Sequence, residues 1–295
     1  MFKQSITPAE KRERLRALLR GETVIPIPGA FNALCAKVIE RRGFSASYVS
    51  GGATAAGVFG LPDLGLYTAD EMVREAGYIA AATNLPVICD ADTGFGGVLN
   101  VRRTVQAFEA AGIAGIHIED QEFPKRCGHL EGKSVVSIEE MVAKIRAAIE
   151  VRRDPNFLLI ARCDAYGIEE LDGLLSRCKA YVAAGVDMIF PEALQSLEEY
   201  AKVTSTLGNI PVLANMTEFG KTPYFTVKEF GQAGCKAVLF PLTLFRVAMK
   251  AAERAAEELF ERGTQAGFID DMQTRKELYD LIDYEKFRKL ADGEG

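Results

Sequence analysis

This 295-residue sequence lacks the features that mark disordered, membrane-spanning and secreted proteins. It has no low-complexity tract, and no uninterrupted apolar segment approaches the ~20 residues that a membrane span needs. Residues 1–20 are charged, where a signal peptide would carry an apolar run. The sequence therefore predicts an ordered, soluble and cytoplasmic protein that does not enter a membrane.

The chain also lacks a positive net charge and paired cysteines. Its formal charge of -6 argues against non-specific binding of nucleic acid, although local arginines and lysines can still focus the field of a cleft on an anionic substrate. None of the six cysteines follows CxxC spacing, so a zinc site is poorly supported. Apolar neighbours predict Cys35, Cys89 and Cys235 to be core thiols, whereas Cys127 stands among charged residues.

What the sequence does contain is a regular alternation of short apolar runs and amphipathic helices. Eight runs at roughly thirty-residue spacing predict parallel strands that are covered on both faces. This rhythm favours one α/β domain over residues 1–295, a (β/α)8 TIM-type barrel, with an open doubly wound sheet as the alternative. The predicted strands are 24–28, 45–50, 86–92, 115–120, 157–164, 187–192, 211–216 and 237–241.

Helix signals agree with this alternation. Residues 1–20 predict a helical segment ahead of the first strand. Thr68, Ser137 and Thr226 are each followed three residues later by Glu, which predicts three capping boxes.

Beyond the last strand, the sequence predicts a C-terminal helical extension over residues 264–295. A long helix over 243–262 precedes it, and a further helix is predicted at about 275–290. A single barrel does not need this extra helix. It could pack on its own barrel or on a neighbouring subunit, and composition does not decide between them.

Polar side chains follow most of the predicted strands, at the barrel end where active sites lie. Asp90 and Asp92 are two residues apart, which would place both on one face of an extended segment. With Glu119 from the next strand and Asp63 from a loop, they would form a hard oxygen cluster without histidine. Such a cluster suits Mg²⁺ or Mn²⁺ better than zinc, although helix caps and salt bridges are the alternative.

Two further strand ends indicate binding of a carboxylate. Ser50, Gly51 and Gly52 offer unobstructed backbone N–H groups after a strand, without a GxGxxG dinucleotide fingerprint. Arg162 ends a buried strand, where an unpaired charge would be costly. Its partner could be a substrate carboxylate or an internal salt bridge to Asp164 or Glu192.

The loop after the fourth predicted strand carries a cysteine in a cationic setting. Lys125 and Arg126 would favour the thiolate of Cys127, and His129 could orient the thiol or share its proton. An acid–base role is therefore favoured, with an ordinary loop thiol or a redox sensor as alternatives. His117, in the middle of a predicted strand, is interpreted as a satisfied structural histidine.

Three stretches resemble the isocitrate lyase/phosphoenolpyruvate mutase superfamily. They are DADTGFG at 90–96, KRCGH at 125–129 and NMTEFG at 215–220. Supporting stretches are YVSGG at 48–52, LPDLG at 61–65, FPEA at 190–193 and MQTR at 272–275. The similarity covers nearly the whole chain, and the cysteine loop is typical of the lyase branch.

The resemblance implies Mg²⁺-dependent retro-aldol cleavage of (2S,3R)-2-methylisocitrate, a tricarboxylate, into pyruvate and succinate, in the methylcitrate cycle of propionate catabolism. It also implies a homotetramer whose C-terminal helices are exchanged between subunits. Isocitrate remains an alternative substrate, because one methyl group discriminates by only ~1–3 kcal/mol. 2,3-Dimethylmalate, which would give propionate instead of succinate, is a further alternative. A non-catalytic, redox-responsive barrel is the alternative outside the enzymes.

The resemblance also implies a role for each site residue. Asp90 would hold Mg²⁺ directly, and three acids would act largely through its waters: Asp63, Asp92 and Glu119. The pyruvate-forming end would be bound by Ser50, Gly51, Gly52 and Arg162. The succinate half would be bound by Gly128, His129, Glu192, Asn215 and Thr217. Cys127 would be the general acid, and Tyr48, or in second place Lys125, the base.

Two positions depart from the superfamily pattern. Cys163 follows Arg162 where relatives have threonine, which is expected to alter packing behind the site. Residues 130–133 read LEGK where some relatives have RPNK, which leaves the substrate open.

Overall fold

The structure, a computed structural model, describes residues 6–126, 128 and 132–293. Each of the eight predicted strands is present, shortened by one to three residues relative to the sequence prediction. They are β1 (Ile25–Pro28), β2 (Ser47–Val49), β3 (Val87–Asp90), β4 (Gly115–Glu119), β5 (Leu158–Cys163), β6 (Met188–Pro191), β7 (Leu213–Asn215) and β8 (Ala237–Phe240).

All strand pairs are parallel, in two sheets of order β2-β3-β4-β5-β6 and β1-β8-β7. Single parallel bridges lie between the sheets on both sides, joining Gly29 to Tyr48 and Ile189 to Val212. The strands therefore present their carboxyl ends in the same direction, as parallel pairing requires.

Helices follow the strands along the chain. They are α1 (Pro8–Arg20), α2 (Ala33–Arg41), α3 (Gly51–Phe59), α4 (Ala69–Ala82), α5 (Val98–Ala110), α6 (Ile138–Val151), α7 (Tyr166–Ala184), α8 (Leu197–Leu207), α9 (Val227–Gln232), α10 (Thr243–Arg262), α11 (Arg275–Leu281) and α12 (Tyr284–Ala291). Among the residues described, no helix combines the length and the apolar character that a membrane crossing demands.

The apolar core has two layers. The larger cluster contains side chains of the helices and of alternate strand positions, among them Cys89, Cys163 and Cys178. The smaller cluster joins the other strand positions, such as Ile160 and Phe190, to Leu15 and Leu19 of α1. This division follows from the period of two along a strand, so Cys163 packs behind the site while its neighbour Arg162 belongs to the opposite face.

Helix α1 lies at the amino ends of the strands. Its buried Lys11 donates to the carbonyls of Ala80 and Thr83, and Arg12 Nε donates to the carbonyl of Ile113 just before β4. The helix thereby satisfies backbone acceptors at the end of the fold that is remote from the predicted site.

Two of the three predicted capping boxes are confirmed and the third is half formed. Thr68 and Thr226 each exchange hydrogen bonds with the glutamate three residues on. Ser137 accepts from the backbone N–H of Glu140, but the Glu140 carboxylate lies 3.5 Å from Lys144 Nζ instead of returning to the cap. Lys144, four residues after Glu140, thus competes with the Ser137 backbone N–H for the Glu140 carboxylate.

The prediction of one helix at about 275–290 was wrong. The segment is divided into α11 and α12, and Asp283 between them has a φ of 57°, in the left-handed region. Aspartate tolerates that region better than most residues, and a left-handed residue ends an α-helix. A 3₁₀ helix over Ala266–Asp271 precedes α11.

The complete capping box at Thr68 should stabilise the folded protein more than the half-formed box at Ser137. We expect Thr68→Ala to lower the free energy of unfolding by about 1 kcal/mol, because it removes the hydroxyl that accepts from the Glu71 N–H and donates to the Glu71 carboxylate at the start of α4. Ser137→Ala removes a hydroxyl that accepts from the Glu140 N–H without a bond to the Glu140 carboxylate, so it should cost less. Urea denaturation of both variants beside Thr68→Ser, which retains the hydroxyl, measures the difference. Equal losses for the two alanine variants would contradict it.

Candidate active site

Four acids predicted to form the metal site come from two strand ends and a loop. Asp90 is the last residue of β3, Glu119 is the last residue of β4, and Asp63 lies in the loop between α3 and α4. The sequence predicted Asp92 to lie on an extended segment, and this was wrong. The φ of Asp92 is 45°, because the chain has begun to turn at this residue. The turn is fixed by the Asp92 N–H, which donates to Asp90 Oδ1 at 3.0 Å.

Lys125 reaches into this acid cluster. Its Nζ forms an ion pair with Asp63 and lies 2.8 Å from Asp92 Oδ1, and its side chain is 3% exposed. The sequence placed this lysine beside Cys127 as a cation favouring the thiolate. The structure instead places its ammonium between two carboxylates of the acid cluster.

Several oxygens of the cluster have no hydrogen-bond donor among the described residues. They are both carboxylate oxygens of Asp92 and both of Glu119. Their contacts with cations are ion pairs: Lys125 Nζ lies near Asp92 Oδ1, and Arg162 lies 3.4 Å from Glu119 Oε2. Buried oxygens that lack hydrogen-bond donors are suitable ligands for a hard cation. The residues present therefore fit Mg²⁺.

The same part of the chain shows how such an ion would be held. Within the described residues, no three carboxylate, imidazole or thiol groups converge to the spacing of direct ligands of one ion. Mg²⁺ usually keeps several waters and takes only one or two protein carboxylates. The geometry is therefore compatible with one direct ligand and contacts through water for the other acids.

Burial dominates the electrostatics of the cluster. It raises the pKa of Asp92 to about 6, against the opposing effect of Lys125, and it raises the pKa of Glu119 well above the ordinary range despite Arg162. Burial alone would lower the pKa of Lys125, but Asp92 and Glu119 outweigh it and hold that pKa well above its ordinary value. A lysine held as an ammonium in this way is poorly suited to act as a base.

Arg162 on β5 has the internal partners that the sequence left open. Its Nε and Nη2 donate to Asp164 at 2.8 and 3.1 Å, and Nη2 lies 3.2 Å from Glu192 Oε2. The guanidinium also lies over the Phe190 ring, 5.3 Å from its centroid. Without a ligand, the protein itself thus supplies the carboxylates that balance this buried cation.

The remaining predicted binding residues surround Arg162. Asn215 Nδ2 donates to both Glu192 oxygens at 3.2 Å. Gly128 is buried directly against this group, because a Cβ built on it would overlap Arg162 and Glu192. Thr217 is buried two residues beyond the end of β7.

The predicted carboxylate cradle at Ser50, Gly51 and Gly52 forms the start of α3. Ser50 is its N-cap, accepting from Ala53 N, and the Gly51 N–H donates to Asp90 Oδ2 at 3.1 Å. The cradle thus holds a carboxylate, but one that belongs to the protein. Gly52 faces Asp63, whose Oδ2 would lie 3.3 Å from an added Cβ.

Tyr48, the predicted base, belongs to a chain of buried polar groups. Its Oη lies 2.7 Å from His117 Nε2, and His117 Nδ1 lies 3.6 Å from Asp90 Oδ1. Burial raises the pKa of Tyr48 well above its ordinary value and lowers that of His117 to about 4, so a neutral imidazole faces a neutral phenol. Nδ1 has no hydrogen bond to a described residue, so His117 is not the satisfied histidine that the sequence suggested.

Cys127 and His129 lie outside the described residues, and their predicted roles stay predictions. The structure does describe the segments on either side of them. Gln121 pairs with Val135 in a single antiparallel bridge, so the chain leaves β4 and returns beside itself.

The sequence offered Asp164 as a partner of Arg162, but the residues that hold Asp164 in place were overlooked. Asp120 Oδ1 accepts from the Asp164 N–H at 2.8 Å, and Tyr181 of α7 donates to Asp120 Oδ2 at 2.7 Å. No local signal marks Tyr181, because its contact with Asp120 exists only in the folded chain.

Comparison with known proteins shows the family to which the chain belongs. A family model described as phosphoenolpyruvate phosphomutase matches residues 15–260. The 2-methylisocitrate lyase of Halalkalibacterium halodurans is 49% identical over 290 residues, which cover 98% of this chain and 95% of the relative.

Two solved structures show the same fold. The structure of 2,3-dimethylmalate lyase, a PEP mutase/isocitrate lyase superfamily member, matches with a TM-score of 0.90 and 34% identity, over 99% of this chain and 97% of that chain. Phosphonopyruvate hydrolase in complex with oxalate and Mg²⁺ matches with a TM-score of 0.85 and 27% identity, over 95% and 97%. The resemblance carried by residues 90–96, 125–129 and 215–220 is thereby confirmed, and the chain belongs to the PEP mutase/isocitrate lyase superfamily.

Proposed function

We propose that this protein is a carbon–carbon lyase that cleaves 2-methylisocitrate into pyruvate and succinate. The observation that carries the proposal is the 49% identity to a 2-methylisocitrate lyase over nearly the whole of both chains. The 2,3-dimethylmalate lyase, at 34% identity, is less similar, which favours the methylated tricarboxylate over dimethylmalate. We place the enzyme in the cytoplasm, in the methylcitrate cycle of propionate catabolism.

Mg²⁺, with Mn²⁺ as a substitute, is proposed at the acid cluster, with Asp90 as direct ligand and Asp63, Asp92 and Glu119 as ligands through water. The buried carboxylate oxygens of Asp92 and Glu119, whose contacts to described cations are ion pairs with Lys125 and Arg162, support this placement, as does the Mg²⁺ of the phosphonopyruvate hydrolase structure. When bound, the ion would supply Lewis-acid stabilisation of the oxygen on which charge develops.

The chain's own residues would carry the proton transfers. Tyr48 would take the proton of the substrate's hydroxyl while its own phenolic proton passes to His117 Nε2, 2.7 Å away. The bond between the two substrate halves then breaks, and the succinate half leaves as a carbanion stabilised by its carboxylate. Cys127 protonates that carbon as general acid.

Binding would use the carboxylate partners already present. Ser50, Gly51, Gly52 and Arg162 hold the pyruvate-forming end. Gly128, His129, Glu192, Asn215 and Thr217 hold the succinate half. Arg162 would exchange part of its contact with the protein's own acids for a substrate carboxylate, keeping its charge paired throughout.

The finer architecture belongs to the same proposal. We propose that the two sheets form one closed (β/α)8 barrel, which the two bridges between them support. We also propose a homotetramer in which the C-terminal helices pack on a neighbouring barrel. Exposed apolar side chains on α10, such as Val247 at 65% and Phe260 at 93%, support such a contact.

The test is product release from three substrates. Purified protein with Mg²⁺ should release pyruvate from 2-methylisocitrate faster than glyoxylate from isocitrate or pyruvate from 2,3-dimethylmalate. EDTA should abolish the release, and Mg²⁺ should restore it. Preferential glyoxylate release would move the protein to the isocitrate branch, and no turnover of any of the three would sink the proposal.

A further inference from the structure

The chain on the two sides of Cys127 is held by two buried side chains that the proposed chemistry does not use. The segment leaves β4 and returns through backbone hydrogen bonds from Glu122 N to Ser134 O at 3.0 Å and from Val136 N to Asp120 O at 2.8 Å. These bonds close the base of the loop but do not reach its tip.

Gln121 holds the residue just before Cys127. Its Nε2 donates to the carbonyl of Arg126 and its Oε1 accepts from the Arg126 N–H, both at 2.9 Å. Gln121 is buried, with 1% of its surface exposed, whereas Arg126 is exposed, so the buried amide holds a residue at the protein surface. One amide therefore fixes both backbone polar groups of a loop residue, as a neighbouring strand would.

Lys133 holds the residue just after Cys127. Its Nζ donates to the Gly128 carbonyl at 2.5 Å and lies 3.1 Å from Asp164 Oδ1, with 6% of its side chain exposed. Asp164 is in turn bonded to Arg162 and to Asp120. The Gly128 carbonyl is thus tied through one ammonium to the strand end that carries Arg162.

We propose that Gln121 and Lys133 are positioning residues that fix the backbone on both sides of the Cys127 thiol. The inference rests on the proposed function for its catalytic consequence, but the restraint itself does not depend on that function. A general acid must meet its substrate atom within hydrogen-bond reach, and a misplacement of about 1 Å can cost on the order of 10²-fold in rate.

The experiment compares same-length variants, Gln121→Met and Lys133→Met, by two readouts. The first is the rate at which iodoacetamide alkylates Cys127 in the native protein, located by peptide mass spectrometry. Five other cysteines, Cys35, Cys89, Cys163, Cys178 and Cys235, are buried and serve as internal references for the folded state. The second readout is kcat and KM for the lyase reaction.

The expected result is faster alkylation of Cys127 in both variants, because a released backbone segment opens to the reagent. In the same variants kcat should fall about 10- to 100-fold, with KM changing less than about threefold. The controls are Glu122→Gln, next in the chain to Gln121, and Lys228→Met on α9, both exposed. They should keep wild-type values.

Each outcome bears on the proposal. Alkylation at the wild-type rate in either variant would overturn it for that residue, even if kcat falls. Should Gln121→Met not fold, Gln121→Glu keeps the size and the acceptor but loses the donor, and should show an intermediate effect. A wild-type protein without lyase activity would sink the proposed function while leaving the alkylation comparison decisive for the restraint.

Discussion

Replacing Cys127 by serine should lower kcat for pyruvate release about 10²- to 10⁴-fold, the usual contribution of a positioned general acid. A serine hydroxyl is close in size but far less acidic than a thiol, so it cannot deliver the proton to the carbanion at a comparable rate. KM should change little, because the predicted role is proton delivery. Steady-state kinetics with 2-methylisocitrate and saturating Mg²⁺ measure both constants.

The matched control is Cys235→Ala. Cys235 is a buried thiol just before β8, at the opposite end of the strands from the site. This variant removes a thiol without touching the proposed chemistry, so its kcat should stay at the wild-type value. If Cys127→Ser retained kcat within about tenfold of the wild type, another group would have to supply the proton.

Replacing Arg162 by methionine should cost about 3–5 kcal/mol in the free energy of unfolding, the usual effect of removing one partner of a buried ionic group. Three carboxylates share this one guanidinium: Asp164, Glu192 and Glu119. Their oxygens are shielded from water, so the loss of the cation leaves buried charge without compensation. Urea denaturation with EDTA present measures the stability without a contribution from bound metal.

Arg162→Lys separates charge from geometry. It keeps the positive charge but cannot reproduce the forked contact to Asp164, so it should fall between the wild type and Arg162→Met. Arg288→Met is the control, because Arg288 also pairs with two acids, Glu285 and Asp292, but on the exposed face of α12. That variant should unfold at the wild-type urea concentration. An unchanged midpoint for Arg162→Met would show that the cluster does not need its cation.

The strands could be predicted because their signal is local. The apolar runs are rich in β-forming residues, most are followed by a polar group, and the structure contains a strand inside each predicted range. The break at Asp283 could not be predicted, because the apolar periodicity continues through it and only the backbone conformation reveals the left-handed residue. Helix boundaries that depend on one φ angle carry little sequence signal.

The acids of the site were predictable from their position at strand ends, and their partners were not. Asp90 and Glu119 follow apolar strands, which places them at the mouth of a parallel sheet by pattern alone. The contact of Lys125 with Asp92 depends on how a loop folds back over that mouth. Likewise, the contact of Gln121 with Arg126 joins residues whose spacing has no regular period.

The ammonium of Lys125 gives the acid cluster a counter-ion that the chain makes for itself. In many small metalloproteins the folded state exists only with the metal, because the free energy of metal binding supplies the free energy of folding. Here the chain supplies a cation of its own, so folding of the domain would not depend on the proposed Mg²⁺. A newly made chain would then reach its native shape in a cell poor in magnesium and bind the proposed ion afterwards.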